Sequence, residues 1–302
     1  MSTRKILVTG ATGKQGGAVI KALLADPPPF EYQILALTRK STSAPARSLA
    51  SNPKVTLIEG SLEEPGSIFT LAGGVGAIWG VFCVTIPSFK KEAEDVEMKQ
   101  GKDLVDAAIA HDVKHFVYTS VDRGGPDQSE VDATNVPHFF NVEKHLKTKA
   151  RGTGMTYTIL RPVAFMENLT PNLPGRVFTA VWATMGDKPL QLVSTKDIGI
   201  FAALAFKSSE SDEYKNAAIS IVGDELTQNQ ANEVFWRVMG RPMPRSYNFM
   251  ATLLKKMVPE LALMFQWFVD QGYRGDLQLC RRLNKDMLDF AGWLREESGF
   301  KR

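Results

Sequence analysis

A glycine-rich run near the N-terminus carries the clearest chemical signal in the sequence. Residues 9–17 read Thr-Gly-Ala-Thr-Gly-Lys-Gln-Gly-Gly, directly after an apolar segment and before an amphipathic one. A strand, a glycine turn and a helix in this order bind the pyrophosphate of a dinucleotide at the helix amides. Gly10 permits the tight turn, Gly13 permits close approach of the phosphates, and Gly16 permits close packing of helix on strand. We therefore predict dinucleotide binding, with a purely structural glycine turn as the alternative.

The same run differs from the P-loop of ATPases. That motif has the spacing Gly-x-x-x-x-Gly-Lys and continues with Ser or Thr. Here only Ala11 and Thr12 separate the first glycines, and Gln15 follows Lys14. The sequence therefore disfavours an ATPase.

The end of the second predicted strand carries positive charge. An NAD site usually has an acidic residue there, about 20 residues after the glycines, which binds the ribose hydroxyls. The sequence instead has Arg39 and Lys40, followed by Ser41 and Thr42. Because a guanidinium can stack on adenine and bind a 2′-phosphate, we expect NADP(H) to be preferred over NAD(H). Two solvated cations at a strand end are the alternative interpretation.

Short apolar runs alternate with amphipathic stretches through the first half of the chain. Such runs are typical of strands that are buried on both faces. Their alternation with helices predicts an α/β fold with a Rossmann-type, doubly wound parallel sheet. The predicted strands are Lys5–Thr9, Gln33–Thr38, Val55–Glu59, Ala77–Thr85, Lys114–Ser120 and Thr156–Leu160, and the predicted helices are Gly16–Ala25, Ala93–His111 and Asn141–Ala150.

The pattern changes after residue 162. We predict an NAD(P)-binding Rossmann domain in residues 1–162 and a smaller, mostly helical C-terminal region for a substrate or partner in residues 163–302. This boundary leaves open that strands of both regions enter one sheet. Prolines and a glycine make residues 166–186 loop-rich in this prediction. The later elements are predicted as strands Leu190–Val193 and Ala217–Val222, a helix over Thr227–Met239, and mostly helix over 248–292.

Composition places the chain among globular proteins of a reducing compartment. Its 302 residues are 44% hydrophobic and 23% charged, and its two cysteines, Cys83 and Cys280, lie far apart. We expect a cytoplasmic protein, with the nucleus as a second location. Because the net charge of +3 comes from dispersed basic residues, direct nucleic-acid binding is not expected. The uncharged segment 67–89 contains glycines and a proline, so a loop and a buried strand are predicted there and no membrane span.

Several short motifs follow the glycine run in a fixed order up to residue 169. Together they resemble the NmrA-like family, atypical members of the short-chain dehydrogenase/reductase superfamily. The resemblance implies a Rossmann fold with a nicotinamide cofactor. Members of this kind include reductases and redox sensors that bind transcription factors or other partners. The motifs are Thr38-Arg39, Glu97-Met-Lys-Gln-Gly101, Phe116-Val-Tyr-Thr-Ser120 and Leu160-Arg-Pro-Val-Ala-Phe-Met-Glu-Asn-Leu169.

The resemblance also implies which residues contact the cofactor. Alternatives exist for several of them, since Val84 and Ile86 can be core residues, Lys99 a solvated helix residue, and Glu167 with Asn168 a cap of the next turn. The implied contacts along the phosphates, the adenosine side, the fourth strand, the next helix and the nicotinamide side are Gly10, Thr12, Gly13, Lys14, Gln15, Gly16, Thr38, Arg39, Val84, Thr85, Ile86, Lys99, Phe165, Met166, Glu167 and Asn168.

Catalysis is where the sequence departs from the superfamily's reductases. These enzymes use Tyr-x-x-x-Lys, in which Lys lowers the pKa of Tyr and Tyr relays the proton. None of the six tyrosines is followed by Lys at that spacing. The candidate substitutes are Ser120 after the fifth strand, His138, and Lys144, which matches a family lysine only with a shifted alignment. A turn residue at Ser120 and a structural histidine at His138 are the alternatives, and no metal-binding motif is present.

Two functions are consistent with these residues. The first is an NADP(H)-binding redox sensor or regulator, with the apolar stretch Met250–Val269 as a surface for a protein partner such as a transcription factor. At helical spacing, however, a stripe of this kind is more often core or lid. The second is an NADPH-dependent reductase of a small carbonyl, imine or enone substrate, with the proton supplied by water or His138. Substrate, partner and oligomeric state do not follow from the sequence.

Overall fold

A computed structural model describes residues 3–85, 91–125 and 137–301, without the side chains of residues 91–94, 137, 138, 248 and 260. The chain forms two compact units, each built from several stretches of sequence. The first contains described residues within Met1–Ser120, Pro137–Arg161 and Ile198–Ile219, and the second those within Val121–Val136, Pro162–Asp197 and Ser220–Arg302. The predicted boundary between residues 162 and 163 stays a prediction.

The strands and helices follow one another along the chain in an alternating order. The strands are β1 Arg4–Val8, β2 Tyr32–Thr38, β3 Val55–Glu59, β4 Ile78–Cys83, β5 His115–Thr119, β6 Thr156–Pro162, β7 Ala164–Phe165, β8 Leu190–Val193, β9 Ala217–Ile221 and β10 Asp224–Leu226. The helices are α1 Lys14–Ala25, α2 Ala44–Ala50, α3 Pro65–Leu71, α4 Lys91–Ala110, α5 Pro137–Ala150, α6 Leu173–Trp182, α7 Thr195–Lys207, α8 Gln228–Met239, α9 Asn248–Met257, α10 Pro259–Asp270, α11 Leu277–Leu283 and α12 Phe290–Glu296.

A seven-stranded sheet has the order β3-β2-β1-β4-β5-β6-β9. The strands from β3 to β6 pair in parallel, with Val8 opposite both Ala36 of β2 and Phe82 of β4. The chain order reverses between β1 and β4, and a crevice opens at such a point beyond the carboxyl ends of the strands. The predicted α/β, Rossmann-type fold is confirmed, and β9 brings a strand from the second half of the chain into the sheet.

The sheet forms because its strands are apolar on both faces. The side chains of Ile6, Leu7 and Val8 in β1 are completely buried. Helix α1 covers the sheet with one apolar face that includes the buried Val19 and Ile20. These strands and helices hold the carboxyl edge of the sheet in place, where the glycine run begins.

The second unit is mostly helical and has its own core. Its small sheet has the order β10-β8-β7, in which β10 is antiparallel and β7 parallel to β8. Trp182, Phe235 and Trp293 are almost completely buried in an apolar cluster formed by this unit alone. The predicted mostly helical character of the C-terminal region is confirmed.

Two segments predicted as loops contain helices. Helix α3 begins at Pro65 and buries Ile68 and Phe69 against the first unit's core. Helix α6 has Pro174 in its first turn, where the missing amide of proline costs no helical hydrogen bond. Proline and glycine were therefore wrong indicators of loop at these positions. Across the described ranges, no helix is long and apolar enough to cross a membrane.

Candidate functional site

The glycine turn is packed so tightly that side chains are excluded from it. Gly10 has a φ of +57°, and a Cβ added there would lie 2.6 Å from Cγ1 of Val84. The Gly13 amide donates to the Gly10 carbonyl at 2.8 Å and closes the turn. A Cβ on Gly16 would overlap the same carbonyl. A Cβ on Gly13 would lie 3.1 Å from this carbonyl oxygen, a tight contact. The turn therefore excludes side chains at Gly10 and Gly16 and leaves little room for one at Gly13.

Helix α1 opens directly from this turn. Gly13 caps it in an extended conformation without a side-chain hydrogen bond. The first intrahelical bond runs from the Gly17 amide to the Gly13 carbonyl at 3.0 Å, so the amides of the preceding turn have no acceptor within the helix. Thr12 and Lys14 are exposed at this end. A helix start of this type, beside the sheet crevice and without a competing cap side chain, fits the pyrophosphate of a dinucleotide.

The end of β4 lies against the glycine turn. Thr9 Oγ1 donates to the Val84 carbonyl at 2.9 Å and accepts from the Val84 amide at 2.8 Å. Thr85 is buried, and its hydroxyl donates to Oε1 of the buried Glu97 at 2.5 Å. The structure thus brings the predicted contact Val84 next to the glycine turn, whereas Thr85 contacts Glu97 of α4. Ile86 lies outside the described residues.

A side-chain hydrogen bond joins α1 to the end of β5. Thr119 Oγ1, in a residue that is 2% exposed, donates to Gln15 Oε1 at 2.8 Å. This bond fixes the Gln15 amide with its oxygen toward β5. Sequence analysis missed Thr119, and the only signal for it was a hydroxyl residue beside Ser120 at a strand end.

The end of β2 carries the predicted adenosine contacts. Thr38 is buried and its hydroxyl contacts the Lys40 backbone, while Arg39 and Lys40 are exposed. Ser41 donates twice to Glu59 Oε2, from its amide at 2.9 Å and from its hydroxyl at 2.5 Å. These two hydrogen bonds lower the pKa of Glu59, so the carboxyl group stays ionised. Sequence analysis missed Glu59, which lies at the end of β3.

Lys99 pairs with Asp103 one turn further along α4, and its side chain is 71% exposed. Its solvated-helix alternative agrees with this placement. A contact between Lys99 and the cofactor stays a prediction.

The predicted nicotinamide-side residues lie in the second unit. Met166 is completely buried in that unit's core, and Phe165 is partly buried while Asn168 is exposed. Glu167 Oε1 accepts from the Thr195 amide at 3.0 Å and from Trp293 Nε1 at 3.2 Å. The Glu167 carboxylate thus supports the start of α7. Cofactor contacts for all four residues stay predictions.

The three catalytic candidates have different environments. Ser120 is 5% exposed, and its hydroxyl has no hydrogen-bond partner among the described residues. Lys144 is exposed on α5, next to Glu143, which is buried and binds Arg161 through two hydrogen bonds. The His138 side chain lies outside the described residues. No contact in the described part of the chain joins Ser120 to Lys144, and their catalytic roles stay predictions.

The apolar stretch Met250–Val269 divides between core and surface. Leu254, Phe265 and Phe268 belong to, or pack against, the core of the second unit. Leu253 and Met257 are 52% and 71% exposed. Most of the stretch therefore follows its core alternative, and a narrower apolar stripe remains on the outer face of α9.

The reversal of strand order at β1 and β4, with a glycine turn opening α1 beside it, defines a Rossmann-type NAD(P)-binding fold. A family model described as the NmrA-like family matches residues 2–294. The chain belongs to the NmrA-like family, which confirms the resemblance seen in its motifs.

Two relatives illustrate the range of similarity. The chain is 33% identical over 171 residues to the NmrA-like family domain-containing oxidoreductase FrzB of Cladobotryum sp, and the match covers 54% of the chain and 47% of FrzB. The chain thus spans about half the length of that relative. It is 29% identical over 241 residues to a (4-alkanoyl-5-oxo-2,5-dihydrofuran-3-yl)methyl phosphate reductase of Streptomyces griseus, covering 79% of the chain and 75% of the reductase.

Solved structures share the fold at low sequence identity. NmrA, a negative transcriptional regulator in complex with NADP, has a TM-score of 0.71 at 20% identity, covering 98% of this chain and 96% of NmrA. The Citrobacter sp. triphenylmethane reductase complexed with NADP(H) has a TM-score of 0.71 at 18% identity, covering 97% of this chain and 99% of the reductase. One fold therefore serves a regulator and a reductase, and the fold alone does not decide between these functions.

Proposed function

We propose that this protein binds NADP(H) and acts as a redox-sensing or regulatory protein. One combination of features carries the proposal: the glycine turn and the start of α1 are intact, while the Tyr-x-x-x-Lys dyad is absent from the sequence. A protein that retains the cofactor cradle without the proton relay is suited to sensing the cofactor more than to turning it over.

The proposed roles of the binding residues follow from their positions. The first-turn amides of α1 hold the pyrophosphate, and the Gln15 side chain, fixed by Thr119, lies beside it. Arg39 and Lys40 face the adenosine side, where a guanidinium binds a 2′-phosphate through paired hydrogen bonds. A bound cofactor would present its nicotinamide ring in either the oxidised or the reduced form.

Regulation requires that the bound protein differ from the free protein. The segments after β2 and β4 are held by side-chain hydrogen bonds, Ser41 to Glu59 and Thr9 to Val84. A cofactor that contacts these segments favours one of their arrangements and so shifts the population of states. The exposed stripe of Phe249, Leu253 and Met257 on α9 supports a partner surface.

Calorimetric titration and a turnover screen test the proposal together. NADPH and NADP⁺ are titrated into the full chain, and oxidation of NADPH is then followed by absorbance with panels of carbonyl, imine and enone compounds. The sensor function predicts tight binding, different affinities for the two redox forms, and no turnover. Absence of binding, or turnover at rates typical of enzymes, would contradict it.

A reductase is the second candidate, and the names of the relatives favour it. FrzB is an oxidoreductase and the Streptomyces relative is a reductase. The buried Ser120 hydroxyl, without a partner among the described residues, is suited to bind a polar substrate atom at the end of β5. In this case the enzyme reduces a small carbonyl, imine or enone with the proton supplied by water or His138.

Variants of the catalytic candidates distinguish the two functions. If turnover is observed, Ser120→Ala and His138→Ala should lower kcat while leaving the Kd of NADPH within about twofold. Lys144→Ala tests the shifted alignment, and Lys147→Ala on the same helix is the matched control. A kcat equal to that of the wild-type chain in all four variants would exclude Ser120, His138 and Lys144 from the reaction.

A further inference from the structure

The amide and the hydroxyl of Ser41 are already hydrogen-bonded to Glu59, in the segment where the 2′-phosphate of NADP(H) is expected to bind. Ser41 follows Arg39 and Lys40 in the segment after β2, and both its amide and its hydroxyl donate to one oxygen of Glu59. Glu59 comes from β3, the strand paired with β2 at the sheet edge, with Thr38 directly opposite it. A carboxylate from the neighbouring strand therefore lies at the segment after β2, and no sequence motif predicted it there.

Glu59 also offsets the positive charge of this segment. The hydrogen bonds of Ser41 have the largest effect in lowering the pKa of Glu59, and the positive charge of Lys40 adds a smaller effect in the same direction. Among the residues that the structure describes, no ion pair involves Arg39 or Lys40. The cation pair that favours a 2′-phosphate is thus opposed by one carboxylate that holds the adjacent donors.

We propose that Glu59 is a specificity-determining residue that weakens binding of the 2′-phosphate of NADP(H) relative to the 2′-hydroxyl of NAD(H). It acts by keeping the Ser41 amide and hydroxyl from the phosphate and by repelling the phosphate charge. This inference rests on the proposed cofactor binding at the glycine turn. Glu59 reduces the preference for NADP(H) over NAD(H) that Arg39 and Lys40 alone would produce, so the protein responds to both NADP(H) and NAD(H).

The test is calorimetric titration of NADPH and NADH into the wild-type chain and Glu59→Gln. The amide is similar in size to the carboxylate and lacks its charge. We expect the NADPH Kd to fall about three- to tenfold, the range for one exposed charge near a phosphate in water-like surroundings, while the NADH Kd changes less than about twofold. High salt should reduce the gain.

Two further variants keep the result interpretable. Glu31→Gln removes an exposed carboxylate that pairs with Lys54 at the opposite end of β2, and it should leave the NADPH-to-NADH ratio unchanged. Ser41→Ala should cost little in the wild-type chain, where Glu59 holds the hydroxyl. Glutamine keeps an amide oxygen that can still accept from Ser41, so the same substitution is also made in the Glu59→Ala background. There Ser41→Ala should remove part of the gain in NADPH affinity, because the hydroxyl released by Glu59→Ala then binds the phosphate.

The outcomes separate this inference from the proposed function. An unchanged ratio in Glu59→Gln, or weaker NADPH binding, would overturn the inference alone, and weaker binding would show that Glu59 supports the segment in its phosphate-binding form. A wild-type chain that binds neither dinucleotide would overturn the proposed function and the inference with it. An equal gain in Glu31→Gln would reduce the effect to net charge and would also overturn the inference.

Discussion

Acidification should destabilise the first unit through a buried histidine on β5. His115 is 1% exposed. Its Nδ1 lies 2.8 Å from Thr156 Oγ1 and its Nε2 lies 3.1 Å from Thr158 Oγ1. The Thr158 hydroxyl donates its own proton to the Tyr214 carbonyl at 2.6 Å, so it accepts from Nε2–H. Burial lowers the pKa of His115 to about 4.

The sign and size of the effect follow from linkage between protonation and folding. The pKa of histidine in an unfolded chain is about 6.5, so the unfolded state binds the proton first as the pH falls. The stability from neutral His115 is complete above about pH 6.5 and is lost progressively as the pH falls toward 4. A difference of about 2.5 pKa units, at about 1.4 kcal/mol each, gives a loss of about 3 kcal/mol.

The assay compares urea unfolding of the wild-type chain and His115→Gln between pH 7.5 and 4. Glutamine retains a hydrogen-bonding amide and does not titrate. Taking the difference in unfolding free energy between the two chains cancels the contributions of groups that titrate in both. One of these is Asp197, whose pKa burial raises to about 7 and whose contribution to stability therefore changes with pH in the opposite sense.

The variant should be less stable at pH 7.5, and the wild-type advantage should shrink by about 3 kcal/mol by pH 4. Parallel stability curves across this range would refute the reasoning. They would mean that the Thr156 hydroxyl turns from Nδ1 to its other acceptor, the Lys114 carbonyl at 3.1 Å, and so accommodates a protonated ring at no cost.

Three predictions concern the cofactor site. Gly16→Ala should abolish NADPH binding in calorimetry and destabilise the fold by about 1–3 kcal/mol in thermal melts, because its Cβ would overlap the Gly10 carbonyl. The control Gly66→Ala should leave stability unchanged or raise it, because its Cβ meets nothing within 4 Å. Thr119→Val should raise the NADPH Kd about fivefold by releasing the Gln15 amide, and full affinity in this variant, or failure of Thr119→Ser to restore it, would exclude the positioning role. Arg39→Ala should raise the Kd of NADPH roughly tenfold or more and that of NADH far less, since a charge-assisted bond contributes about 1.5–3 kcal/mol; equal losses would contradict the expected NADP(H) preference.

The order of strands and helices could be predicted because it follows from short sequence patterns. Ile6–Val8 is a short, continuous apolar run followed by a glycine turn, and these two features together are typical of a buried strand. The same logic placed β3 and β8 at their observed bounds. It was wrong at α6, because Pro174 and Gly175 are compatible with a first helical turn that Asn172 caps.

The sequence by itself thus determined the alternation of buried strands and helices that predicts a parallel sheet, the glycine turn, and the absence of the Tyr-x-x-x-Lys dyad. Each of these is a pattern of residues that lie close together in the chain. The side-chain partners of the site were decided only by the tertiary structure. Glu59 reaches Ser41 across 18 residues, and Thr119 reaches Gln15 across 104. Parallel pairing brings the carboxyl ends of separate strands to one edge, and hydrogen bonds made there leave no periodic trace in the sequence.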